Sequence, residues 1–384
     1  MRQLLLLGLL AAAALPALAA KRFTVAQLEQ KLTAVSTEHK PDPEVVRLIA
    51  DMELSERLTE ATLARLNAHL DTGSQAAMAL QLLADQSAFL DPPASELPAT
   101  AVPDDATQQR MLVATRNYVA QTMPRLPNFL ATRSTNRFDD SARELKKGGW
   151  PVRAGLHQVD TSSSEISVRD ERDTLPSNKG SAVWQEQSGL ISKGEFGSML
   201  GMILADAAKG KVIWSHWERI ADGQAAVFQY WVPRSASNYE VIGPNQRQAA
   251  EYANLAGGHG MADIGQQLSD NQSNTSFKII KPGYHGSLWL DPVTGTILRI
   301  TIQADTKDDS PFRRADILVQ YGPVRIGDST FICPVRGVAL YEATTDAKSN
   351  LSDAPVEWLN VTLFTGYHRF ASTAQILPDT AAPE

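Results

Sequence analysis

The stretch Tyr284–Ile300, YHGSLWLDPVTGTILRI, reads as strand, tight turn, strand. Leu288 and Leu290 point to one face and Trp289 to the other, because successive side chains alternate along a strand. Asp291-Pro292 opens the turn: proline pre-sets φ and the aspartate can bond the turn amides. Gly295 supplies the positive φ that closes it. On the return strand Leu298, Ile300 and Ile302 share one side, and Arg299, Thr301 and Gln303 the other. The next run repeats the rule, with Ala315, Ile317, Val319 and Tyr321 alternating with Asp316 and Gln320. A meander with one apolar face and one solvated face is the expectation.

Period-two patterning extends on both sides of this hairpin. "NFLATRSTNRF" is a first strand, and "SEISVRD" a weaker one. "KVIWSHWERI" and "AAVFQYWVP" form an antiparallel pair around Ala221-Asp222-Gly223, whose Asp-Gly is a hairpin signal. "STFICPVRGVALYEA" and "VEWLNVTLFTGYHRF" follow, the first after a turn at Gly327-Asp328. Between the early and later strands, "GEFGSMLGMILADAAKGK" reads as one helix, with Phe196, Leu200 and Ile203 on a face. Residues 243–276 are rich in Gly, Gln, Asn and Ser and read as a long loop, and residues 371–384 as a disordered tail.

The N-terminal third is patterned differently. Val25, Leu28, Leu32 and Val35 recur at helical steps in "TVAQLEQKLTAV". Asp42 reads as an N-cap before Pro43, Thr59 as the cap of "TEATLARLNAHL", and Ser74 as the cap of "QAAMALQLLADQSAFL". Four short amphipathic helices are predicted over 21–90, packing as a small bundle. Four prolines in 91–106 mark a linker, and a longer helix over 107–123 leads into an α+β domain ending near residue 370. The fold class is α+β: a curved antiparallel sheet, a half-barrel, packed on helices and preceded by a helical segment.

At its start, "MRQLLLLGLLAAAALPALAA" carries an early Arg2, an apolar run over Leu4–Leu15, and then Pro16 and Ala17-Leu18-Ala19. That is the pattern of a cleaved secretory peptide, 1–20, since a spanning helix needs ~20 apolar residues. The mature chain is expected to start near Ala20 or Lys21. Cys333 is the only cysteine, so no internal disulfide forms, which fits a bacterial periplasm. A formal net charge of −7 argues against nonspecific nucleic-acid binding.

With these residues on the page, a resemblance stands out. Trp289-Leu290-Asp291-Pro292-Val293-Thr294-Gly295-Thr296-Ile297-Leu298-Arg299 resembles the W-x-D-P-x-T-G hairpin of LolA/LolB-type periplasmic lipoprotein carriers. The related half-barrel domain of periplasmic stress regulators that sense lipoproteins is similar too. The resemblance spans residues 110–370, and the helices at 24–90 have no counterpart in it. Overall the chain is similar to secreted bacterial proteins. The resemblance implies a sheet wrapped around helices, an apolar cavity for a lipid or lipoprotein acyl chain, and no catalysis. The residues that would line it are Leu288, Leu290, Leu298, Ile300, Ile302, Ile317, Val319, Trp214, Phe228 and Trp231. The same residues can equally be filled core, since any one-faced sheet must be covered. Possible partners beyond an apolar small molecule are envelope proteins.

Signals for chemistry are sparse. The seven histidines show no H-x-x-H or H-x-x-x-H spacing, so no metal or cofactor is expected. Ser198 in "GEFGSMLG" misses the G-x-S-x-G spacing. His259 in "GGHG" and His216 between Trp214 and Trp217 remain the residues to watch; either converging with two carboxylates in a cleft would favour a hydrolase. An envelope-associated scaffold is the other alternative to a carrier.

Overall fold

The computed structural model describes residues 22–71, 73–140, 142–143, 152–153, 155–169, 172–174, 194–220, 223–243, 278–307, 310, 312–343 and 356–370. The expected secretory peptide, the 243–276 stretch read as a loop apart from Gly243, with its His259, and the expected C-terminal tail lie outside these residues.

The N-terminal segment forms four helices: α1 Val25–Thr37, α2 Asp42–Ala50, α3 Glu60–Asn67 and α4 Gln75–Gln86. Their starts follow from capping. The Thr24, Thr59 and Ser74 hydroxyls accept from the amides of Gln27, Thr62 and Ala77, and at α1 the Gln27 side chain returns the bond to Thr24. Asp42 departs from expectation. It is the first residue of α2 rather than its cap, and its carboxylate accepts instead from the Gln75 and Ala76 amides. It therefore caps the neighbouring helix α4, using the positive end of that helix dipole. Leu28, Ile49 and Leu80, at 0–1% exposure, centre a core private to this segment. A short parallel strand pair, Arg22–Phe23 with Glu53–Leu54, ties its start to the stretch between α2 and α3.

The remainder is built on one open antiparallel sheet of ten strands, beside two short antiparallel pairs, Ala142–Arg143 with Val152–Arg153 and Val241–Gly243 with Lys278–Ile280. In chain order the ten are β1 Phe129–Asp139, β2 His157–Arg169, β3 Arg172–Thr174, β4 Lys211–Ile220, β5 Gly223–Val232, β6 Gly283–Leu290, β7 Ile297–Asp305, β8 Arg314–Ile326, β9 Ser329–Ala343 and β10 Val356–Arg369. The spatial order is β3-β2-β1-β10-β9-β8-β7-β6-β5-β4, so the sheet is not closed on itself. Two helices complete it: α5 Asp105–Thr122 and α6 Ser198–Ala207. The α+β class expected from the patterning is what the chain adopts.

The hairpin that opened the reading is built as its residues dictate. Asp291 Oδ1 accepts from the amides of Val293 (2.9 Å) and Thr294 (2.7 Å), and Gly295 has φ 74°. Gly295 has a second reason to be glycine. A Cβ there would lie 2.4 Å from the Ala114 carbonyl carbon, so the turn presses directly on the backbone of α5.

Both faces of the sheet are covered. The inner face carries Leu288, Leu290, Ile300, Ile302, Ile317, Val319 and Phe228, packed under Met111 and Val119 of α5 and Met199, Leu200, Ile203 and Ala207 of α6. The outer face was expected to be solvated. Over much of its width it is not, because the helical segment docks there: Leu82, Ala88 and Phe89 pack on Leu318, Val338, Leu340 and Leu359. The proline-rich stretch between α4 and α5 runs along the β4–β5 edge, where Trp217 Nε1 donates to the Ala101 carbonyl at 2.9 Å and Thr100 meets Gln224. In this way α5 reaches the inner face.

Candidate functional site

The inner face brings together most of the residues expected to line a cavity. Leu288, Leu290, Ile300, Ile302, Ile317, Val319 and Phe228 are 0–4% exposed, and Trp214 packs against the same cluster half-buried. They are core as they stand, filled by the two helices. Tyr230, Tyr284 and Tyr239 stack edge-on at the β5–β6 end of this layer, and Asp206 of α6, fully buried, accepts from the Tyr284 hydroxyl at 3.0 Å and from Asn238. Burial and the Asp206 carboxylate push the Tyr284 phenol far above its ordinary range. This knot anchors the C-terminal end of α6, while Met199, Leu200 and Ile203 pack the rest of the helix on the apolar layer.

Two of the expected lining residues face the other way. Leu298 packs with Ile220 on Ala225, Val227 and Trp289, an outer-face cluster. The cause is a β-bulge: Trp289 pairs with Arg299 and Leu290 with Ile297, which leaves Leu298 as the extra residue. Trp231 lies between inner-face Tyr230 and Val232, so alternation places it outside, 37% exposed.

A second bulge, at Ser215, was equally invisible to strict alternation. Trp214 pairs with Phe228 and His216 with Val227. The ladder therefore skips one residue, and Trp214 and Trp217 both face inward, ring centroids 4.9 Å apart. His216 and Glu218 face outward into the joint with the helical segment.

That joint holds a buried polar cluster that sequence reasoning missed. Glu218 accepts from Arg57 Nη2 (2.5 Å) and Trp289 Nε1 (2.8 Å), meets His216 Nε2 at 3.3 Å, and lies 3.8 Å from Arg299 Nη1. Both guanidinium groups sit over the Trp289 ring, at 5.3 and 5.2 Å from its centroid. Arg299 also pairs with Glu60 of α3. Burial alone would raise the Glu218 carboxyl, but the bond to His216, the charges of Arg57 and Arg299 and the bond from Trp289 together hold it down at about 2. Further along, Arg336 pairs with Asp85 at 2.5 Å, and Gln86 donates to Glu357 at 2.7 Å. No sequence motif announces this cluster, since its members come from 57 to 336. Its one legible hint is that Glu218 and Arg299 interrupt otherwise apolar strands.

His216 thus converges with one carboxylate, not two, and that carboxylate is already shared between two arginines. Ser215 Oγ lies 2.9 Å from His216 Nδ1. Cys333 is buried and its thiol is pushed up to about 12 by desolvation, which leaves it without thiolate character at neutral pH. Among the described residues no three His, Cys, Asp or Glu side chains are grouped to hold a metal ion, and no helix is long and apolar enough to cross a membrane.

A cavity of about 70 Å³ opens beside this cluster on the outer face. It lies where the helical segment ends, at Ala88–Pro92, over strands β4 to β7. Its floor is polar, with Gln229, His285, Ser287 and Gln303 beside Trp231. A cavity was expected, but under the inner face rather than here.

No family model matches the chain, and no curated protein matches it. Among solved structures the chain is similar to a LolA superfamily protein from Nitrosomonas europaea at 9% identity, with a TM-score of 0.29, over 69% of this chain and 94% of that one. A superposition that loose carries no argument, and the reading of this molecule rests on its own geometry.

Proposed function

We propose that this is an exported, periplasmic binding protein that holds an apolar chain, such as a lipid or lipoprotein acyl tail, between the inner face of the sheet and α6, without making or breaking bonds. One observation carries the reading: part of the cover of the apolar face is a ten-residue helix, SMLGMILADA, whose only charge is Asp206. Met199, Leu200, Ile203 and Ala207 fill the space an acyl chain would take, with Met202 and Leu204 half-buried beside them. Methionine is unbranched and repacks readily, so such a cover can yield to a ligand of the same character. Each methylene transferred contributes ~0.8 kcal/mol, enough for a long chain to compete with the helix side chains. Export follows from the N-terminal pattern, and N-terminal sequencing of the protein from a bacterial envelope should find a start at Ala20 or Lys21.

The binding test is native purification from that envelope, with organic extraction and mass spectrometry of the extract. Co-purifying acyl lipid, displaced by a fluorescent fatty acid, is the expected result. Placing a charge under the cover, as in Met202→Glu, should abolish fatty-acid uptake. Reproducible absence of lipid together with no fatty-acid binding would sink the carrier reading. It would leave a scaffold whose inner face is only core.

A further inference from the structure

The outer cavity is not accounted for by an acyl-chain site, because it lies on the opposite side of the same strands. Its floor follows from the register. His285 pairs with Trp231 on one side and Gln303 on the other, and Ser287 pairs with Gln229. These five side chains alternate away from the buried inner residues Tyr230, Tyr284 and Ile302, so they form adjacent cross-strand rows on one surface. The helical segment stops short of these rows and supplies a wall from Phe89 to Pro92. The result is a polar shelf with one flat aromatic at its rim, roofed on one side by a separate unit of the fold.

The chemistry of the walls narrows the occupant. Arg57, 3% exposed, lines the cavity. Its charge is already matched by Glu218, and that of Arg299 by Glu60. Within the wall the arginine is therefore matched, and Asp91 adds a negative charge, which disfavours an anion. Gln229, Gln303 and Ser287 offer amide and hydroxyl groups that both donate and accept. Lys211 covers the Trp231 ring at 5.6 Å, and the ring is still 37% exposed. Neutral, multiply hydroxylated and flat on one side describes a sugar ring better than a carboxylate, a phosphate or a hydrocarbon.

We propose that this shelf is a saccharide-binding site, in which a pyranose ring packs on Trp231 and its hydroxyls are read by Gln229, His285, Ser287 and Gln303. The site is assembled from the helical segment and the sheet together, so it exists only in the docked molecule. It does not depend on the acyl-chain reading, because the two ligands would occupy opposite faces.

Saturation-transfer NMR on the full mature chain tests it, with glucose, galactose, mannose and N-acetylglucosamine, and with acetate and inorganic phosphate as anionic probes. Transfer to the ring protons of at least one sugar is expected, weakened at least tenfold in Trp231→Ala and in Gln303→Ala. Trp231 and Gln303 are not core residues, and near-ultraviolet circular dichroism checks that each variant keeps its fold. Transfer to none of the four sugars, transfer undiminished in Trp231→Ala, or binding of only acetate or phosphate would each overturn the proposal.

Discussion

The two faces of the sheet are held by different physics. The inner face is apolar throughout its centre and is covered by helices that contribute methyl and methylene groups. The outer face is covered by a unit with its own core, joined through an apolar patch and a row of charge pairs. Removing an atom from the inner face leaves a void. Removing one from the outer joint leaves a charge. The second is worse, because an unpaired buried charge retains its full desolvation cost while a cavity costs only lost contacts.

The sharpest test of that difference is Glu218→Ala. It strands Arg57 and the Trp289 indole at once, leaves Arg299 with Glu60 alone, and should destabilise by about 3–5 kcal/mol in urea unfolding. If the loss falls below that of a single inner-face truncation, the joint is not the critical contact it is described as. Leu288→Ala comes next, at about 3 kcal/mol, within the range for buried leucines under a covering helix. Acid adds a finer distinction. The Glu218 carboxyl is held at about 2 in the fold, below its unfolded value near 4.5, so its contribution is present above that value and is lost as pH falls from about 4.5 to 2. Asp85 and Glu357, on either side of the same joint, are raised by burial and act in the opposite direction. Glu218→Gln should therefore flatten the acid limb of stability between pH 4.5 and 2, while Leu288→Ala should shift the whole curve down without changing its shape. Least affected should be Ser74→Ala, at the start of α4, costing about 1 kcal/mol by loss of a cap and leaving the sheet untouched.

The sheet and its inner face were largely legible because alternation is a local property. The hairpin of 284–300 could be read residue by residue down to the bonds of Asp291. Alternation failed at Ser215 and Leu298, where a bulge shifts the phase by one and sends His216, Glu218 and Leu298 to the outer side. It also failed for Trp231, whose apolar character suggested the inner face although its position in β5 places it outside. The docking of the helical segment was not legible at all. Arg57, just before α3, and Glu60 and Asp85, in their own helices, look like ordinary surface charges, and their partners lie in another part of the chain. The same distance hid the polar shelf, whose rows exist only once three strands are in register.

Those distances bear on how the molecule comes together. Arg57 precedes Glu218 by 161 residues, Glu60 precedes Arg299 by 239, and Asp85 precedes Arg336 by 251. The helical segment is complete, with its own core, long before its landing surface has been synthesised. Contacts so remote in sequence make for slow folding, since loop entropy must be spent before any pair forms. Until β8 to β10 are laid down, Leu82, Ala88 and Phe89 lack most of the surface that covers them. The nascent chain thus carries a sticky, half-finished module through most of its synthesis, and this is the stage at which a holding chaperone would have the most to gain.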